Sequence, residues 1–216
     1  MTRLLALVAA TSVAAIAAVV PADGTSMHKP HKTHRATTRQ VAFHDAMRKL
    51  WEDHVTWTRL AIVSFAADLP DLQATEDRLL ANQDDIGDAI KPYYGKAAGD
   101  KLTKLLKEHI LGAVTLMSAA KGGDKDAIAK AGDAWYANGD EIADFLHSAN
   151  PHNWAKGEMR SMMKGHLDQT LQEAVDRLNG RFADDVRDYD VVHLHILDMA
   201  DMLSDGIMRQ FPHRFR

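Results

Sequence analysis

The chain has 216 residues, with 26 Lys and Arg against 30 Asp and Glu, 12 histidines and no cysteine. Without cysteine there is no disulfide framework, no thiolate metal site, no thiol nucleophile and no lipid anchor on an N-terminal Cys. Residues 41–216 hold 29 acids and 21 Lys and Arg, a balance of −8 that argues against the cationic face nucleic-acid binding needs.

The chain opens with Met1-Thr-Arg3, an uncharged run from Leu4 to Val20, and Val20-Pro21-Ala22. A charged start, an apolar run and small residues at the −3 and −1 places read as a signal peptide over 1–22. The run is slightly short for a comfortable bilayer span. The expectation is therefore export, with no membrane span after cleavage. Whether the destination is the periplasm, the cell wall or the medium is not encoded in these residues. Residues 23–38 follow, rich in Lys, Pro and Thr, with His28, His31 and His34 every third position. The composition reads as a disordered basic arm, although short histidine tracts also bind metal.

From residue 39 to 216 apolar residues recur at three and four positions, as in Val41, Met47, Leu50, Trp51, Val55 and Ile62. That spacing predicts helix, and no sustained alternation predicts a strand. Breakers divide the segment. Leu69-Pro70-Asp71 closes the first helix and opens the second. Pro92 is expected to end the second. Gly122-Gly123-Asp124 supplies a C-cap and then an N-cap. Asn150-Pro151 and Asn179-Gly180 mark the remaining boundaries. The prediction is an all-α, six-helix bundle of three antiparallel hairpins over about 39–93, 97–149 and 154–211.

The hairpins share a phrase. Asn82-Gln-Asp-Asp85-Ile-Gly-Asp88-Ala-Ile90 returns as Asn138-Gly-Asp-Glu141-Ile-Ala-Asp144-Phe-Leu146 and as His195-Ile-Leu-Asp198-Met-Ala-Asp201-Met-Leu203. Each follows a histidine, His54, His109 or His166, by 28 or 29 residues. Such a period is the mark of a repeat architecture. The midpoint between each histidine and its phrase falls at or beside the hairpin's turn, near residues 69, 124 and 181. Antiparallel helices then bring all these polar residues to one level in mid-bundle. Thr58 and Thr170 stand four residues after their histidines, whereas the second repeat has Ala113 there.

Imidazoles and carboxylates on facing helices are how bundles build metal sites. The candidate ligands are His54, His109, His166 and His195 with Asp85, Glu141 and Asp198. A nitrogen and oxygen donor set without sulfur suits Fe, Zn, Mn, Ni or Cu(II). Two other readings of the layer stay open. Buried histidines bonded to Asn or Asp across each hairpin would fix helix register with no ligand. His193 or His195 with Asp198 would be the place for an acid–base pair or a small organic ligand. A standard di-iron centre is not expected, since no Glu-x-x-His occurs. Asp188-Tyr-Asp190 has the Asp-x-Asp form of some sugar-nucleotide enzymes but lies in a helical stretch. Met159, Met162, Met163, Met199, Met202 and Met208, and the four tryptophans, read as packing.

The segments Trp51-Glu-Asp-His-Val-Thr-Trp-Thr-Arg59, Asn82-Gln-Asp-Asp-Ile-Gly and Asp201-Met-Leu-Ser-Asp-Gly resemble a group of exported bacterial all-helical proteins of uncharacterised function, some of which carry glycosyltransferase labels. The resemblance covers about 41–212, and it implies a shared helical fold and export.

Overall fold

A computed structural model describes residues 36–216; the leader and most of the basic arm lie outside the described residues. Six helices follow in chain order: α1 Thr38–Ala66, α2 Leu72–Tyr94, α3 Lys96–Gly122, α4 Lys125–Ala149, α5 Lys156–Leu178 and α6 Phe182–Gln210. A short 3-10 turn, Pro212–Phe215, ends the chain. No strand occurs among the described residues.

The helix ends follow local chemistry. Thr37 closes a capping box with Gln40 at the start of α1, each side chain taking the other's backbone N–H. The last residues assigned to the arm are therefore ordered, and the Thr37 hydroxyl also donates to the Phe215 carbonyl at 2.6 Å. Gly123 takes the left-handed conformation at φ 71°, and the Asp124 carboxylate then accepts the N–H groups of Asp126 and Ala127. Pro92 does not end α2, which runs two residues further to Tyr94. Proline there removes only one bond of the last turn, and Gly95 at φ 83° makes the break instead.

Each helix packs on its neighbours in sequence, and α6 returns to pack on α1. The three hairpins thus form a closed ring around one core. Trp51 and Val55 of α1, Ile86 of α2, Leu102 and Leu106 of α3, Ile142 of α4, Leu167 of α5 and Ile196 of α6 are buried in it. α1 also touches α5, its second neighbour in the ring beyond α6.

The seventh residue of each phrase helps to lock the ring. Asp144 on α4 takes both Arg160 on α5 and Lys156. Asp201 on α6 accepts two bonds of 2.7 Å from Arg48 on α1. Arg48 and Arg160 both stand six residues before their repeat's histidine, so the joint that closes the ring copies the one between the second and third hairpins. The first repeat solves it differently, with Lys91 bridging Asp88 and Asp100.

The joint between α2 and α3 instead relies on close backbone approach. A Cβ on Gly99 would sit 2.6 Å from the Gly87 carbonyl oxygen, and one on Gly87 would sit 2.8 Å from that of Gly99. Backbone cannot step aside as a flexible side chain can. Gly99→Ala is therefore expected to destabilise the fold by about 1–3 kcal/mol in chemical denaturation, despite alanine's better helix propensity. An unchanged midpoint would mean that the two helices are not in contact there.

Candidate functional site

The odd-numbered helices each send one histidine to the centre of the ring. His54, His109 and His166 are 2%, 4% and 3% exposed. The ring centres of His54 and His166 are 5.7 Å apart, those of His109 and His166 6.3 Å. His195 of α6 lies parallel to His166 with centres 6.5 Å apart and is half-buried. The face of Trp135 stacks on His109 at 5.2 Å, and its indole N–H donates to the His109 carbonyl.

The first residue of every phrase does one job. Asn82 Nδ2 donates to the Leu50 carbonyl at 3.1 Å, Asn138 Nδ2 to that of Leu105 at 3.2 Å, and His195 Nε2 to that of Met162 at 3.0 Å. Each acceptor lies four residues before its hairpin's histidine. The carbonyl already serves the helix, so this bond takes its second lone pair and pins the two helices in register. An imidazole N–H replaces an amide N–H in the third repeat with the same geometry.

The second function of the phrase differs from repeat to repeat. Asn138 Oδ1 accepts from His109 Nδ1 at 3.1 Å. Asn82 is too occupied to do this, and its neighbour Gln83 reaches His54 Nδ1 at 3.3 Å instead. Gln83 also donates to the Leu79 carbonyl and to Asn82 Oδ1, while its own Oε1 is buried without a partner. His195 has spent its N–H on Met162, and His166 Nδ1 is left buried and unpaired. Of the ring nitrogens of His54, His109 and His166, only His166 Nδ1 is fully enclosed and without a partner among the described residues.

All three rings are neutral in the fold. Burial, then the nearness of His109, lowers the His54 pKa to about 3. Burial lowers that of His109 to about 4. Burial, then His54, His109 and His195, holds His166 well below the ordinary value.

The predicted carboxylates do not join the histidines. Asp85, Glu141 and Asp198 are exposed on the outside of the bundle, and Asp85 pairs with Arg78 at 3.5 Å. Three helical residues turn about 300°, so the fourth place of the phrase stands about 60° round from the first, and the seventh about 120°. The inward stripe is narrower than that, and only the first place meets the layer. Among the described residues no group of three or more His, Asp or Glu side chains is placed to hold a metal ion. Nor is an acid–base pair formed by His195 and Asp198, because the His195 N–H is committed to Met162. His193 meets Glu52 on the surface at 3.0 Å. Asp188 lies beside Asp176 while Asp190 is exposed, so the Asp-x-Asp pair does not converge.

Sequence reasoning missed Gln83, the Trp135 stack and a second buried polar group. Arg59 of α1 donates to Glu173 of α5 at 2.9 Å and grips Asp185 of α6. Burial, against the pull of Arg59, raises the Glu173 pKa to about 7. Neither carboxylate has an equivalent in the other repeats, so periodicity carried no signal of them.

Comparison with protein-family models, with curated proteins and with solved structures finds no match to this chain.

These pKa shifts oppose one another. Histidines depressed in the fold supply stability that is full above pH 6.5 and is lost as pH falls towards 4 and 3. Glu173, raised in the fold, supplies stability that is full below pH 4.5 and is lost as pH rises through about 7. Each fully engaged group contributes a slope of about 1.4 kcal/mol per pH unit. Three rings outweigh one carboxylate. Chelator-treated protein is thus expected to lose stability steeply between pH 6 and 4 in urea titrations, and a pH-independent midpoint there would contradict buried neutral imidazoles. Asn138→Ala, which orphans His109 Nδ1 and removes the inter-helix bond to the Leu105 carbonyl, is expected to cost about 1–3 kcal/mol in the same assay at pH 7.5.

Proposed function

We propose that the protein binds one transition-metal ion on the axis of the ring, through Nε2 of His54, His109 and His166. The observation that carries this reading is the approach of three buried, neutral imidazoles to one another, with His166 Nδ1 buried and without a partner. A layer built only for register would pair such buried groups. A metal–nitrogen length of about 2.0–2.1 Å places three imidazole centres about 5 Å apart around a tetrahedral ion. The two separations to His166, 5.7 and 6.3 Å, each need a contraction of about 1 Å, and His54 and His109 must also close on one another.

The surroundings support the same reading. Depressed pKa values keep the rings neutral, the form that binds metal, near neutral pH. Asn138 holds His109 with its proton on Nδ1, which leaves the Nε2 lone pair facing the axis. His54 is the exception: Gln83 is held with its amide N–H towards the Leu79 carbonyl, Asn82 Oδ1 and His54 Nδ1, so His54 carries its proton on Nε2 and a metal there would have to displace it. Three neutral nitrogens leave a fourth position for water or hydroxide and suit Zn, Co, Ni, Cu(II) or Fe(II). With the leader-like run at 4–20, the ion would be handled outside the cytoplasm.

A second reading has an observation of its own. The bonds to the Leu50, Leu105 and Met162 carbonyls need no ligand, and they alone align the helices of each hairpin. The layer would then be a register device.

The two readings separate in one experiment. Full-length untagged protein, carrying His28→Ala, His31→Ala and His34→Ala to silence the N-terminal tract, is titrated with Co(II) and assayed by elemental analysis. Metal binding predicts close to one ion per chain, a Tm raised by metal and lowered by chelator, and affinity weakened by more than about tenfold in His109→Ala. A protein that takes up no stoichiometric metal and ignores chelators, while His109→Ala still destabilises it, would assign the layer to register alone.

A further inference from the structure

The exposed apolar side chains of the described residues are unevenly placed. Four of the eight large ones, Phe182, Val186, Val191 and Leu194, stand on α6. Phe182 and Val186 share a side of that helix with Tyr189 and His193, which meet Thr56 and Glu52 of α1. Val191 and Leu194 do not. They are 51% and 65% exposed, and Leu194 is the most exposed large apolar residue of all. At 100° per residue they fall within a stripe about 60° wide that also holds Arg187 and Asp198. All four residues of the stripe face solvent.

The order along the stripe is cation, apolar, apolar, anion. Arg187 and Asp198 stand equally far from the midpoint between Val191 and Leu194, about 8 Å to either side. Such a stripe is complementary to its own reverse. When a second α6 lies antiparallel on the first with the midpoints together, Val191 meets the partner's Leu194 and Arg187 meets the partner's Asp198, each pair twice. Any other occupant would need the same order read backwards, which this chain supplies itself. The charges are also available. Asp198 forms no ion pair among the described residues, and Arg187 has only Asp184 one turn away, an exposed pair of the kind that contributes little. Asp190, about 70° round from the middle of the stripe, stays at its solvent edge.

We infer that the outer face of α6 is a self-association surface, on which two copies of the protein pair antiparallel about a twofold axis level with residues 192 and 193. The same patch is used on both copies. One helix from each covers roughly 1,000 Å² or less in total, the range of transient contacts, so the dimer is weak and reversible. It is independent of any ion in the histidine layer.

The test is sedimentation velocity of full-length, chelator-treated protein from about 10 μM to about 1 mM in buffered saline. The parent is expected to move from monomer towards dimer across that range. Arg187→Asp and Asp198→Arg each set like charges against one another, and each is expected to raise the dimer Kd by about tenfold or more. Combined in one chain, they restore both ion pairs with the signs exchanged, and Kd is expected to return to within about threefold of the parent. Leu194→Glu is expected to leave a monomer. These positions are exposed, so an unchanged Tm checks each fold, and all variants carry the same N-terminal segment, so differences between them report on α6. The inference is overturned by a parent that stays monomeric throughout, by self-association that Leu194→Glu or the single charge variants do not weaken, or by a double variant that associates no better than the single ones.

Discussion

Six helices closed into a ring leave a gap on the axis, and whatever fills it must come from three helices at once. That constraint organises this molecule. At one level α1, α3 and α5 fill the gap with imidazoles, and the neighbouring even-numbered helices hold those rings and the backbone beside them. Four residues further on, the same helices supply two threonines and an alanine, which do not fill it. The polar layer and the cavity beneath are consequences of one geometry met by side chains of different size.

The threefold plan is followed closely where register is at stake and loosely elsewhere. All three hairpins keep the bond to the carbonyl four residues before the histidine, although an imidazole has replaced the amide in one of them. The contact to the histidine Nδ1 is made by Asn138, transferred to Gln83 and lost at His166. A bond that sets helix register affects every contact along the hairpin, whereas a bond to one ring nitrogen affects only that nitrogen. The loss therefore falls where it costs least, and it leaves an unpaired nitrogen in the middle of the protein.

The hairpins, their turns and the common level of the histidines were legible in the sequence. Breakers and mirror distances depend only on chain length and helix rise. The phase of side chains around each helix was not legible to the same degree. Asp85, Glu141 and Asp198 share a helical side with the inward-facing first residue, yet a rotation of about 60° puts them in solvent. Spacing of three or four tells which residues are neighbours on a helix, not how wide the buried stripe is. Arg59, Glu173 and Asp185 escaped notice for another reason: they meet across three helices and occur in one repeat only. Pro92 misled because proline in a last helical turn costs little.

The central claim is that three uncharged imidazoles face one another on the axis. Nitrogen NMR of ¹⁵N-histidine-labelled, metal-free protein tests it most directly, with each ring assigned by substitution. The account predicts that His54, His109 and His166 stay neutral as pH falls from 8 to 6, with the proton of His109 on Nδ1. Titration of these rings with the ordinary midpoint near 6.5 would contradict it, because imidazoles that charge freely at that pH are in water and not in the core.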